Sequence, residues 1–244
     1  MRMRLLGWVG MWLGLACGAA SASGLQVAPV TLSLEPTQQA DGLWLSNTGD
    51  APLDAQARVF RWTQEDGEDR LAPTRDLLVS PPMLQLPVAG RQLLRVIRNG
   101  APPAGPAEQA YRVLVDELPV PQADGRKGLN FVMRHSLPIF VLPAGAPPAP
   151  PQLAWRLVRQ DDRVVLEVSN GGGTHAQVAD LAFTDAAGRR TAVHAGLLGY
   201  VLPGATMRWS LQPPASTFSG PGQWQAMVNG NTAPQDIAPL DPSR

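Results

Sequence analysis

The chain has 244 residues, with 20 basic and 20 acidic side chains, 25 Pro and 24 Gly. A balanced charge offers no basic stripe for phosphates, which argues against a nucleic-acid partner. One fifth Gly and Pro argues against long helices, and 44% hydrophobic with 16% charged residues argues against a disordered polyelectrolyte.

Residues 1–23 have the layout of a secretory signal. Arg2 and Arg4 make a positive start, Leu5 to Ala16 is a short apolar run, and Ala20-Ser21-Ala22 offers small residues for cleavage after Ala22. The run is too short to span a bilayer comfortably. Export is therefore expected. Cys17, the one cysteine, lies inside this segment, with Gly14 where a lipoprotein signal wants Leu. Ordinary cleavage leaves a chain without a thiol, which excludes a disulfide, a Cys nucleophile and thiolate metal sites.

From Leu25 the pattern is one of short period-two runs broken by Gly, Pro, Asn and Asp, the signature of an all-β sandwich. Strands are predicted near 25–34, 42–47, 53–62, 82–86, 91–98, 109–118, 129–142, 153–158, 163–169, 176–183, 189–194, 205–211 and 222–229. Asn47-Thr48-Gly49-Asp50, Glu65-Asp66-Gly67 and Asp124-Gly125 supply turn chemistry. The Pro-rich stretch Pro143 to Pro151 lacks backbone donors and reads as a stiff connector. The expected organisation is a first domain over 24–143, a linker over 144–152 and a second domain over 153–244, two immunoglobulin-like β-sandwiches in tandem. A weak internal echo, LWLSNTG from Leu43 and LEVSNGG from Leu166, places the same hairpin in both, unless the likeness is coincidence.

Catalytic patterns are missing. His135, His175 and His194 fall in different predicted elements with no metal-ligand spacing, so no metal is expected. No nucleophile elbow, phosphate loop or dinucleotide fingerprint is present; Gly171-Gly172-Gly173 reads as a turn, and Asp161-Asp162 and the acids of Glu65 to Asp69 as solvated loops. No enzyme activity, cofactor or small-molecule substrate is expected.

In order, LQVAPVTLSLEP, LWLSNTGDAPLDAQARVFRW, PPMLQLPVAGRQLLRVIR, YRVLVDELP and LNFVMRHSLPIFVLP resemble the first domain of periplasmic pilus-assembly chaperones, over most of residues 25–143. RVFRW and SLPIFV are similar to the archaic branch that serves spore-coat-like pilins. The second domain matches more loosely, through Arg163 to Asn170 and Leu198 to Gly204. The resemblance implies two immunoglobulin-like β-sandwich domains in an L or boomerang arrangement, a periplasmic location, pilin or fimbrial subunits and an outer-membrane usher as partners, and donor-strand complementation as mechanism, a form of β-augmentation.

The lending strand would be the last of the first domain. Leu129, Phe131 and Met133 share one face of a strand, and each could contribute roughly 1.5–3 kcal/mol by filling a groove in a subunit. The competing reading is that these three fill the protein's own core. Such an edge is an aggregation liability, so self-association of the free protein, or cover from the preceding loop Pro121 to Gly128, is expected.

The family's cationic anchor for a subunit's terminal carboxylate maps onto Thr31 and Pro138, neither of them charged. Arg95 and Arg134 are the first replacement candidates, followed by Arg98 and Arg112; the alternative for each is a solvated strand arginine. The family's interdomain arginine maps onto Leu142, leaving Glu117 without that partner, so the elbow is expected to depend on apolar packing and the proline linker. Pro138 inside a strand suggests a bulge or an unpaired segment. The rival function is a secreted adhesin or carbohydrate-binding module using its tryptophans; a hydrolytic or metal-handling enzyme on the same scaffold is the third reading.

Overall fold

The computed structural model describes residues 24–119, 132–160, 163–238 and 240. The signal segment, Leu129, Phe131, the loop 121–128 and Asp161-Asp162 lie outside the described residues. Among the described residues the elements are strands and one short 3-10 helix, Ala215–Phe218.

The first domain contains β1 (Leu25–Ala28), β2 (Leu32–Leu34), β3 (Ala40–Asn47), β4 (Leu53–Glu65), β5 (Glu68–Pro73), β6 (Leu77–Ser80), β7 (Met83–Leu86), β8 (Arg91–Arg98), β9 (Gln109–Leu118) and β10 (Arg134–Val141). One sheet has the order β1-β3-β8-β6. The other has the order β2-β10-β9-β4-β5, with β7 paired to β4. The second domain contains β11 (Leu153–Gln160), β12 (Arg163–Asn170), β13 (Ala176–Asp185), β14 (Arg190–Val201), β15 (Thr206–Leu211), β16 (Gly222–Val228) and β17 (Asn231–Gln235). Its sheets are β11-β12-β15 and β14-β13-β16-β17. These are the two immunoglobulin-like β-sandwiches expected from the sequence.

Alternation explains the layering. In β3, Leu43 and Leu45 point inward; in β8, Leu94 and Val96; in β9, Val113 and Val115; in β10, Leu137, Ile139 and Val141. All pack in one buried cluster between the first two sheets. A second cluster, with Val164, Leu166, Val168, Val178, Phe183 and Trp224, fills the other sandwich. Each of these side chains contributes roughly 1.5–3 kcal/mol by leaving water.

Three details differ from the sequence reading. The predicted strand 25–34 is two strands in different sheets, because Pro29 cannot donate to a ladder and the chain changes sheet there. β5, β6 and β17 were not foreseen: β5 is exposed along its whole length, β6 has four residues and β17 five. Short or fully solvated edge strands carry little alternation to read. Pro138 makes no bulge, since β10 pairs with β9 in unbroken register from Arg134↔Asp116 to Val141↔Gln109. The Glu117 amide donates to the Met133 carbonyl (2.9 Å), so the hydrogen-bonded pairs fall on odd positions of β10. The missing Pro138 donor therefore faces away from β9 and costs that ladder nothing.

The sequence echo marks the same device in both domains, and it is not a hairpin. Asn47 and Asn170 each end a strand whose chain then crosses to the opposite sheet. The Asn47 amide nitrogen donates to the Ala51 and Leu86 carbonyls (2.8 and 3.1 Å), and its oxygen accepts from the Gly49 amide (2.9 Å). Asn170 repeats the pattern with Thr174, Val201 and Gly172 at 2.8, 3.0 and 2.9 Å. The Glu65-Asp66-Gly67 signal does make a hairpin, β4–β5, with Asp66 and Gly67 at φ of 56° and 80°.

Both asparagines are buried, so removing either strands several main-chain groups. Asn47→Ala or Asn170→Ala is expected to lower unfolding free energy by about 2–3 kcal/mol in urea titrations.

Candidate functional site

β10 is bonded unequally on its two edges. β9 pairs with it along its whole length, whereas β2 runs parallel to it only at Ile139–Val141. Among the described residues, the outer edge of Arg134–Leu137 has no ladder partner. The outward main-chain groups there, at even positions, form a rim on which a further strand can pair.

The faces of β10 also differ. Leu137, Ile139 and Val141 are sealed in the core, but the same face continues to Met133, which is 44% exposed, with Val132 49% exposed beside it. The Met133 amide donates to Glu117 Oε2 (3.3 Å), holding this segment to β9. The core-facing row thus runs past the end of its own core. Leu129 and Phe131 lie further along this chain direction, outside the described residues.

The even face, with its counterparts on β9 and β4, is graded. At its lower end Trp62, Ala110 and Phe140 form a row buried against Tyr200 and Leu202 of the second domain. Phe140 stacks on the His175 ring at 3.5 Å between centroids, and Trp62 meets Tyr200 edge-on at 5.5 Å. Glu108 Oε1 accepts from the His175 amide and faces its Nδ1, at 2.6 and 2.7 Å. Gln64 donates to the Tyr200 carbonyl (2.9 Å) and accepts from the Leu202 amide (2.8 Å). The expected reliance on apolar packing at the elbow is met, and a polar clamp the sequence did not suggest is added through Gln64, Glu108 and His175.

Immediately above this row lies Arg112, opposite Pro138 in register. Its guanidinium covers Trp62 at 3.8 Å and approaches Tyr200 at 5.4 Å, and the side chain is 14% exposed. Burial pushes its pKa down, and Asp69, 4.0 Å away, offsets only part of that; an arginine remains charged throughout. β2 pairs with β10 from Leu32↔Ile139, which puts Thr31 beside Pro138 one residue earlier. The two uncharged positions noted in the sequence are therefore neighbours, and Arg112 is the cation one strand over.

The other arginines lie elsewhere. Arg95 points outward from β8 in the opposite sheet, exposed. Arg134 pairs with Asp116, which also accepts from Arg58 (2.6 Å). Arg95 and Arg134 are thus in different sheets and are not brought together. Arg98 points into the first sandwich. Alternation alone puts Arg112 on the face of β9 opposite Tyr111, Val113 and Val115; that this face meets the crease depends on the pairing of β9 with β10 and β4.

The three histidines stay apart. His135 Nε2 bonds the Leu25 carbonyl (3.1 Å), His194 Nε2 the Leu197 carbonyl (3.1 Å), and His175 serves Glu108. Among the described residues no three His, Cys, Asp or Glu side chains converge as a metal site. Trp62 and Trp224 are buried, and Trp44 lies under Arg91 at 4.0 Å, so these rings do not form a shared platform for sugar stacking.

Comparison with known proteins gives a family match over residues 24–147, to the model described as pili and flagellar-assembly chaperone, PapD N-terminal domain. No curated protein matches the chain. Among solved structures, the CsuC–CsuE chaperone–tip adhesion subunit pre-assembly complex of archaic Csu pili from Acinetobacter baumannii is similar at TM-score 0.68 and 23% identity, covering 87% of this chain and 97% of that one. The Salmonella enterica SafA pilin–SafB chaperone complex is similar at 0.62 and 19%, covering 89% and 98%. The Pseudomonas aeruginosa CupB2 chaperone is similar at 0.59 and 18%, covering 87% and 100%. At these identities the structural likeness speaks for the fold.

Asp116 gives the strand a pH signature. Burial raises its pKa, but the hydrogen bonds and charges of Arg134 and Arg58 outweigh burial and hold the carboxyl below its usual range. A carboxyl whose folded pKa lies below the unfolded value of about 3.9 stabilises the fold above that pH, and the contribution disappears as pH falls through the folded value. Both arginines are partly solvated, so Asp116→Asn is expected to cost about 1 kcal/mol at neutral pH. In urea titrations across pH, the gap between variant and parent should close below about pH 4.

Proposed function

Because the chain belongs to the family of pili and flagellar-assembly chaperones, we propose that it is a periplasmic chaperone that binds pilus subunits by donor-strand complementation and passes them to an outer-membrane usher. In this reading a subunit is a sandwich short of one strand. The outer rim of β10 supplies main-chain partners, and its apolar row, from Met133 through Phe131 to Leu129, fills the subunit's open groove. The observation that carries the proposal is the half-paired edge of Arg134–Leu137 together with a core-facing row that stays exposed at Met133. The similar structures that hold a chaperone with its pilus subunit support it.

The carboxylate anchor is assigned in the same reading to Arg112 rather than to Arg95 or Arg134. Arg112 occupies the crease beside Thr31 and Pro138, is largely desolvated, reaches the Ser136 carbonyl through Nη1 (3.4 Å) and Asp69 at 4.0 Å, and presents a planar guanidinium suited to a carboxylate. Arg134 is already committed to Asp116.

Co-expression with a small pilin subunit and quantitative co-purification test this. Phe131→Asp and Met133→Asp should each reduce the retained subunit at least about tenfold, the equivalent of one lost apolar contact, while the chaperone keeps its melting temperature. Arg112→Ala should weaken retention by about tenfold or more. Parent-like retention by the two strand variants would remove the donor-strand assignment; parent-like retention by Arg112→Ala would remove only the anchor.

A further inference from the structure

The interior of the first sandwich ends, on the side nearest the elbow, in a polar cavity of about 200 Å³. Alternation in β8 places Arg98 on the core face behind Leu94 and Val96, and it is only 8% exposed. Its Nε and Nη1 are buried and, among the described residues, have no hydrogen-bond partner. A charged guanidinium left with unmet donors in an interior is costly, and a buried charge is normally paired. The facing sheet contributes Arg61, Gln109, Tyr111 and Val141 to the same cavity.

The charges around the cavity do not balance. Arg61 reaches Asp76 at 3.4 Å, and the Tyr111 hydroxyl lies 3.2 Å from the same carboxylate. Burial, with Asp76 nearby and despite Arg61, pushes the Tyr111 phenol up to about 12, so it stays neutral. Among the described residues, two guanidiniums therefore face one carboxylate, leaving a single positive charge, and the two unmet donors are on Arg98. Leu77 and Val141 give the cavity an apolar side.

We propose that this cavity is a binding site for a small monocarboxylate, held by the Arg98 guanidinium with its short alkyl part against Leu77 and Val141. One negative charge completes the local balance, a planar carboxylate matches a planar guanidinium, and the volume admits a two- or three-carbon acid. The bound anion bridges β8 in one sheet and the ends of β4 and β9 in the other. It therefore ties the sandwich together beside the elbow. The site is separate from the Arg112 crease, and it stands whether or not the donor-strand reading does.

The test is thermal unfolding and titration calorimetry of the intact chain with sodium acetate and propionate, against sodium chloride and phosphate at matched ionic strength and pH. Acetate or propionate should bind with a dissociation constant on the order of 1 mM and raise Tm by several degrees at about 50 mM. Arg98→Met should lose that rise while melting no lower than the parent without ligand, because it removes an unpaired buried charge; Arg98→Lys should bind about tenfold more weakly. An N-acetyl dipeptide, compared with its C-terminal amide, separates a polypeptide terminus from a free small acid as the source. Absence of a carboxylate-specific rise, an equal rise in Arg98→Met, or phosphate binding as tightly as acetate would overturn the proposal.

Discussion

A strand has two faces and two edges, and β10 uses each for something different. Its odd positions close the first core, its even positions build the floor of the domain junction, one edge is satisfied by β9, and among the described residues the other is covered only at Ile139–Val141. The strict period of two links these assignments. A slip of one residue would turn Phe140 into the core and Ile139 into the junction, and would carry Met133 off the apolar row. The hydrogen-bonded register with β9, unbroken over eight pairs, is what forbids that slip.

The junction combines a few buried rings with polar contacts that fix its geometry. Trp62, Phe140 and Tyr200 supply the buried rings, but rings alone tolerate sliding. Glu108 on His175 and Gln64 on the Tyr200–Leu202 backbone pin the rotation. Arg112 closes the row with its charge turned toward the crease and its flat face on Trp62. The same residue thereby belongs to the packing of the elbow and to the electrostatics of the surface above it.

Much of this was legible in the sequence because alternation is a local signal. The all-β class and the long strands β4, β8, β9, β12 and β13 follow from it. The Asn47 and Asn170 echo was visible as words, but its meaning depended on carbonyls of Leu86 and Val201, 39 and 31 residues away. An order among the four candidate arginines did not emerge for the same reason. Choosing among Arg95, Arg98, Arg112 and Arg134 requires knowing which sheet each strand joins, and that is set by long-range pairing. Pro138 suggested a bulge because the sequence does not say which edge of β10 its nitrogen faces.

The Gln64 side chain behaves as a detached peptide unit: it offers one N–H and one C=O to the main chain of a different domain, at Tyr200 and Leu202. Because both partners are backbone atoms, the hinge is keyed to chain path and is indifferent to the chemistry of the residues that carry it. Substitutions at 202 can change hydrophobic volume without releasing that latch. Turning Gln64 itself into glutamate would set a carboxylate against the Tyr200 carbonyl and spring it open.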